Sequence, residues 1–303
     1  MPFQPTRQTQ SYLMRRFAAV GIRPQSRHGQ NFLIDLNLLE LLFESAGVTR
    51  DDVVLEVGAG MGALTELLAT AAAEVVSVEI DPHLAQLARE QLAGSTNVTL
   101  LEQDALHNKN NLHPAVLQAL RERLAAVPGR QLKLVANLPY NVATPIMSNL
   151  LAGDLVPESM TVTIQKELAD RMAAPPATRD YSALSIWMQS QADIELIRTL
   201  PPSVFWPRPK VTSAIIQVRI DPARRARIPD LDYFHQFVRA MFFHRRKFLR
   251  TSLVSAVKGQ LEKPDVDEIL TAMGFSADAR AEQLDVDTML ALAEQVRARI
   301  AAK

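Results

Sequence analysis

Four consecutive residues, Asn137-Leu138-Pro139-Tyr140, are the stretch of this sequence best suited to chemistry. They follow a short apolar run, 132–136, that reads as a buried strand. The Asn137 side-chain oxygen and the Leu138 carbonyl can each accept a hydrogen from an exocyclic NH2 group. Pro139 fixes φ and stiffens the turn, so the acceptors stay aimed. Tyr140 offers a flat face on which a base can stack. The amine of adenine is a poor nucleophile, because its lone pair is delocalised into the ring. Two acceptors in a tetrahedral arrangement would localise that pair and direct it at an electrophile. The same four residues also suit an ordinary strand-to-helix turn with Pro at a permitted position, so amine methylation must draw support from the rest of the chain.

The elements before the tetrapeptide supply that support. Val53 to Val57 reads as a buried strand, followed by Gly58-Ala59-Gly60-Met61-Gly62 and a helix from 63 to 70. A second strand, 74–78, ends at Glu79, 21 residues beyond Gly58, where an acid can take both hydroxyls of a ribose. The glycines follow G-x-G-x-G rather than G-x-G-x-x-G, a spacing that fits a nucleoside better than a dinucleotide. Together these pieces predict a Rossmann-like α/β unit. Asp81-Pro82 opens a helix through Leu92, and 98–102 is a third strand with Asp104 just after it. Asp104 can accept from an adenine amine, or serve as a loop acid or helix cap.

Residues 107–130 read as a polar loop and an amphipathic helix, and a helix at 144–151 follows the tetrapeptide. A strand at 160–165, helices at 166–173 and 181–191, and strands at 194–200 and 213–219 complete the α/β pattern. Between the last two strands, 201–210 is too proline-rich for regular structure and would hold Phe205 and Lys210 in place. After Asp221-Pro222 the strand pattern stops, and helices are expected at about 232–257, 265–273 and 285–301. The expected organisation is a basic arm over 1–30, a Rossmann-like domain over 31–222 and a helical domain over 223–303.

The chain has 303 residues, 33 basic and 33 acidic, so no nucleic-acid partner is signalled globally and local patches must serve. Residues 1–30 carry Arg7, Arg15, Arg16, Arg23 and Arg27 and no acid. Residues 239–250 carry Arg239, Arg245, Arg246, Lys247 and Arg250 and no acid, with aromatic residues between them, which suits either a solvated face or a nucleic-acid surface. No cysteine is present, which excludes disulfides, Cys-ligated metal and a thiolate nucleophile. No apolar run approaches the roughly 18 residues of a membrane span, and the first thirty residues lack the apolar core of a signal peptide. A cytoplasmic protein is expected.

These stretches jointly resemble the ribosomal RNA adenine dimethylase family along nearly the whole chain. The resemblance is carried by Gly29-Gln30-Asn31-Phe32-Leu33, Glu56-Val57-Gly58-Ala59-Gly60, Glu79-Ile80-Asp81, Asp104-Ala105, Asn137-Leu138-Pro139-Tyr140 and Gln165-Lys166-Glu167. It continues through Phe205-Trp206-Pro207-Arg208-Pro209-Lys210-Val211, Arg245-Arg246-Lys247 and Arg280-Ala281-Glu282-Gln283-Leu284. It implies S-adenosylmethionine as methyl donor and N6 of two adjacent adenines in a small-subunit rRNA hairpin loop as acceptor, each dimethylated during ribosome biogenesis. It also implies a Rossmann-like seven-stranded sheet with its last strand antiparallel and a small all-α C-terminal domain. By position, Asn31, Leu33, Gly58, Glu79, Asp104 and Asn137 would contact the cofactor. Asn137 and Leu138 would hold the target amine, while Tyr140 and Phe205 would sandwich the base. Arg245, Arg246, Lys247 and Arg250 would meet RNA. A monomer acting on small-subunit precursor particles, without metal or membrane, is expected. Ala59 departs from a usual Pro, Pro176 and Ser182 from usual glycines, and Thr212 from a usual Asp.

Three rivals remain. A macrolide-resistance methyltransferase of large-subunit rRNA shares the cofactor motifs, but Phe205 to Lys210 and Arg280 to Leu284 favour the small-subunit reading. A non-catalytic RNA-binding assembly or transcription factor would not need Glu79, Asp104 and the tetrapeptide intact. A nicotinamide dehydrogenase is disfavoured by the glycine spacing.

Overall fold

A computed structural model describes residues 10–19, 21, 30–244 and 247–303. The chain divides into two compact units, Met1–Ala169 with Glu195–Arg219, and Asp170–Ile194 with Ile220–Lys303. Most of the expected basic arm, including Arg7, Arg23 and Arg27, lies outside the described residues, as do Arg245 and Arg246.

The first unit opens with α1 (Gln10–Ala19), β1 (Phe32–Leu33), α2 (Leu36–Ser45), β2 (Asp52–Val57), α3 (Ala63–Ala71), β3 (Glu74–Glu79), α4 (Pro82–Gln91) and β4 (Val98–Glu102). It continues with β5 (Leu106–Asn108), β6 (Asn111–Leu112), α5 (Pro114–Ala126), β7 (Gln131–Asn137), α6 (Ala143–Ala152) and β8 (Ser159–Gln165). α7 (Lys166–Ala173) leads into the second unit, α8 (Ala183–Gln189) lies within it, and β9 (Ala192–Leu200) leads back. β10 (Phe205–Trp206) and β11 (Ser213–Ile220) follow. The second unit then holds α9 (Pro222–Ala226), α10 (Leu231–Met241), α11 (Leu249–Ala256), α12 (Lys263–Ala272) and α13 (Val286–Ala301).

The main sheet has seven strands in the order β4-β3-β2-β7-β8-β11-β9. β4, β3, β2, β7 and β8 pair in parallel, and β11 runs antiparallel to β8. The fold class implied by the resemblance is therefore present. All six residues of β2 are buried, as expected of a central parallel strand covered on both faces. Asp35, Asp81 and Asp221 cap the helices that follow them, each accepting two backbone N–H groups through its side chain.

Several elements differ from the sequence reading. The apolar period across 232–257 predicts one helix, but it breaks between Met241 and Leu249. The buried stripe Phe234, Phe237, Val238 and Met241 ends with α10, and Leu249 and Leu253 begin a separate one. The loop at 107–130 contains the β5–β6 hairpin. Phe32 and Leu33 pair with Trp206 and Phe205, so two residues between Pro202 and Pro207 suffice for a strand. Residues 170–194 group with the C-terminal helices rather than with the sheet. The buried Trp187 of α8 stacks on His235 of α10 at 4.3 Å between ring centres.

One buried cation ties the amino ends of the central strands. Lys133 donates to the Gly47 carbonyl at 2.8 Å and lies 3.0 Å from the buried Asp52 carboxylate. Asp52 also accepts the Thr49 backbone N–H at 2.7 Å and its hydroxyl at 3.0 Å. Removing one partner of a buried ion pair leaves the other uncompensated. Lys133→Ala should therefore lower stability by about 3 kcal/mol, read as a shift of the urea midpoint at constant slope. A loss below about 1 kcal/mol would place this pair with solvated surface pairs.

Candidate active site

The carboxyl ends of β2, β3, β4 and β7 open into one cleft, where an open parallel sheet binds its ligand. Asn31, Leu33, Gly58, Glu79, Asp104 and Asn137, all expected at the cofactor, line it.

The glycine turn after β2 shapes the cleft. Gly58, Gly60 and Gly62 have φ of 86°, 57° and 88°, in the left-handed region that other residues rarely enter. Gly58 has a second constraint: a Cβ there would lie 3.2 Å from Cδ of Pro139. The proline of the tetrapeptide thus packs where Gly58 lacks a side chain. The turn is further held by the Gly58 and Ala59 N–H groups, which donate to the Val78 carbonyl at 2.8 and 3.2 Å.

Glu79 is 4 % exposed. One carboxylate oxygen accepts the Gly60 N–H at 2.8 Å, and the other accepts the Asp81 N–H at 3.0 Å. Burial pushes its pKa up to about 6, against backbone hydrogen bonds from Asp81, Gly60 and Ile80. The carboxylate keeps acceptor capacity for a further donor. Asp104 is exposed and its Oδ1 accepts the Leu106 N–H at 2.9 Å.

Asn137 donates from Nδ2 to the Asn31 carbonyl at 2.9 Å. A backbone carbonyl can only accept, so the amide NH2 must face Asn31 and Oδ1 is left as the acceptor. The Leu138 N–H donates to the Thr163 carbonyl at 3.2 Å, and among the described residues no donor meets the Leu138 carbonyl. The Leu138 side chain is buried. Both acceptors expected from the tetrapeptide are therefore oriented by neighbours that use only their donor side.

The aromatic pair is not equivalent. Tyr140 is half-buried and its hydroxyl bonds Ser213 Oγ at 2.6 Å, with burial raising its pKa. Phe205 is 2 % exposed and packs in a cluster with Leu33, Leu39 and Leu200. Its pairing opposite Leu33 holds it there, so it presents no open ring face for the expected sandwich. Of the basic residues in the described region, Arg250 meets both oxygens of Asp267 at 2.6 and 2.8 Å. This ion pair is solvent-exposed, with the two side chains 49 % and 48 % accessible. Lys247 is exposed.

One cleft residue, Glu56, escaped the site reading. It lies in β2, lines the cleft and is 1 % exposed. Its Oε2 accepts Thr65 Oγ1 at 2.5 Å and Ser77 Oγ at 2.6 Å. Burial pushes its pKa up to about 7, against those hydrogen bonds and with the charge of Glu79 adding to the rise. An acid within the apolar run 53–57 is the sequence signal that could have found it. Among the described residues neither Glu56 nor Glu79 has an ion-pair partner. The cleft therefore holds two buried carboxyls that meet hydrogen-bond donors but no cation.

A family model described as ribosomal RNA adenine dimethylase matches residues 22–294. The chain is 40 % identical over 270 residues to the ribosomal RNA small subunit methyltransferase A of Geobacillus thermodenitrificans, covering 89 % of each. The chain belongs to the ribosomal RNA adenine dimethylase family. It is likewise 37 % identical to the protein of that name from Lachnoclostridium phytofermentans, over 89 % of this chain and 90 % of the relative. A dimethyladenosine transferase from Plasmodium falciparum shares the fold with a TM-score of 0.69 at 22 % identity, over 85 % of this chain and 94 % of that one. The 23S rRNA methyltransferase ErmE aligns with a TM-score of 0.62 at 26 % identity, over 88 % of this chain and all of that one. The chain is a methyltransferase of this family, and the dehydrogenase reading falls.

Because its pKa is raised, the neutral form of Glu56 stabilises the fold. That contribution is complete below the ordinary value of 4.5 and is lost as pH rises through about 7. Glu56→Gln stays neutral throughout. Its stability relative to the parent should therefore improve between pH 5 and pH 8, by on the order of 3 kcal/mol. Urea midpoints at the two pH values measure this. An unchanged difference would mean that Glu56 ionises at an ordinary carboxylate value.

Proposed function

We propose that the chain transfers methyl groups from S-adenosylmethionine to N6 of adenines in small-subunit rRNA, dimethylating them in precursor particles in the cytoplasm. The observation that carries this reading is the fixed amide of Asn137, with its acceptor left free beside the glycine turn. The small-subunit substrate is supported by eight relatives named for it at 36–41 % identity, against 26 % for ErmE.

The cleft residues fit a cationic nucleoside cofactor. Glu79 would take the ribose hydroxyls, and Asp104 the adenine amine of the cofactor. Gly58 and Gly60 line the cleft, with Pro139 and Phe32 packed where their side chains would be. A positive ligand would favour the charged form of Glu56 and Glu79, which have no cation partner of their own among the described residues. When bound, S-adenosylmethionine supplies an electrophilic methyl on a sulfonium. The residues of the chain then do three things. Asn137 Oδ1 and the Leu138 carbonyl accept the two hydrogens of the target amine and aim its lone pair. Tyr140 stacks against the base, which must leave its own stack to enter. As nitrogen gains its methyl group it becomes cationic, and the same two oxygens are the dipoles aimed at that charge. The excess proton leaves to water. Positioning is the main source of rate.

The reading that retains the fold without catalysis is disfavoured by the same geometry, since an RNA-binding factor has no use for an amide held by Asn31. Asn137→Ala should lower single-turnover methyl transfer to small-subunit particles about 10²–10³-fold at saturating cofactor. Tyr140→Ala should act more through weaker capture of the base, about 1–3 kcal/mol. Glu79→Ala should weaken cofactor binding by about 1.5–3 kcal/mol, measured by calorimetry. A folded Asn137→Ala protein that transfers methyl at the parental rate would overturn the mechanism. Transfer to large-subunit rRNA alone would keep the chemistry and change the substrate.

A further inference from the structure

The break between α10 and α11 leaves seven residues, 242–248, that the reaction does not use. Its two described ends are anchored. Phe242 packs edge-on against Tyr181, whose ring centre is 6.1 Å away, and the buried Tyr181 donates its hydroxyl to the Leu284 carbonyl at 2.8 Å. At the other end the buried Leu249 donates its N–H to the Ala279 carbonyl at 2.6 Å.

Between these anchors Phe243 is 80 % exposed, the most open large hydrophobic side chain among the described residues. Its ring meets the His244 ring edge at 4.9 Å between centres, leaving the rest of it open. Phe248 is also exposed, with the Arg280 guanidinium 5.6 Å from its ring centre. Isolated surface apolar residues need no explanation, but two phenyl rings and an imidazole within six residues do. The chemistry around them is cationic. Arg239 and Lys247 are exposed, and 239–250 contains no acid.

We propose that Phe243 is a stacking platform for an unpaired base of the rRNA substrate, with the flanking cations on its phosphates. This rests on the rRNA reading above. A flat, open ring in a basic, acid-free stretch of sequence matches a polyanion whose bases carry π-faces. A protein partner that buried the ring would have to compensate the cations, and the sequence 242–248 contains no Val, Leu, Ile or Met to rim it.

The test uses the full chain, small-subunit precursor particles carrying the rRNA and one fixed salt concentration. Phe243→Ala should weaken rRNA binding about 5- to 150-fold. Phe243→Trp should bind at least as tightly as the parent, with its emission quenched by rRNA, and Phe243→Leu should resemble Ala because it lacks a flat face. Thermal midpoint and cofactor affinity should not move in any of the three. Parental binding by the Ala variant, or rescue by Leu, would overturn the platform. So would a loss confined to anionic phosphatidylserine vesicles, which would assign the ring to a membrane surface. These outcomes leave the functional reading standing if the parent still methylates rRNA. A parent that neither binds nor methylates rRNA removes that reading itself.

Discussion

The site depends on the missing side chain of Gly58. The turn after β2 and the turn after β7 meet because the Pro139 ring occupies the space a Cβ would take. A side chain at Gly58 would be strained twice, by φ of 86° and by the proline. From this contact the remaining geometry follows in short steps. The glycine turn is pinned to β3 by the Val78 carbonyl and by Glu79. Asn137, two residues before Pro139, is pinned to Asn31. Cofactor side and amine side are thus built as one rigid body, which is what a reaction governed by positioning requires.

The acceptors at Asn137 illustrate how a neutral site can be polarised without a titrating base. An amide oxygen does not change protonation in the working range, so its dipole is constant. What fixes its direction is a neighbour that can only accept. The Asn31 carbonyl performs that role, and Asn31 stands just ahead of the short β1 strand that pairs with β10. That pairing also buries Phe205. The β1–β10 pair therefore orients the amide at the expense of an open ring at Phe205, and leaves the half-buried Tyr140 as the more accessible of the two aromatics.

Much of this was legible in the sequence because the signals are local. The buried strands, glycine turn, Glu79 and tetrapeptide each declare themselves within a few residues. What was hidden depends on partners distant in sequence. The burial of Phe205 is set by Leu33, and the engagement of Arg250 by Asp267. Periodicity cannot see either. The helix over 232–257 was misread because an apolar stripe can shift across a turn without losing its average period. Glu56 was passed over because a strand of valines and a leucine draws attention to its core and away from its one acid. Only the distances to Thr65 and Ser77 show that the acid faces inward.

The charge of the cleft bears on how RNA can approach it. Two carboxyls without ion partners suit a cationic cofactor, but they repel phosphate. Only the neutral base is suited to come close to them, and the backbone that carries it is better held elsewhere. The affinity for a polyanion must then arise from cations outside the cleft. The chain as a whole carries equal numbers of basic and acidic residues, so those cations have to be segregated rather than abundant. The acid-free stretches at 1–30 and 239–250 have that character. A chain that gathers carboxyls without cation partners in one cleft, and its cations in acid-free stretches of sequence, can at zero net charge bind both a positively charged small molecule and a negatively charged macromolecule.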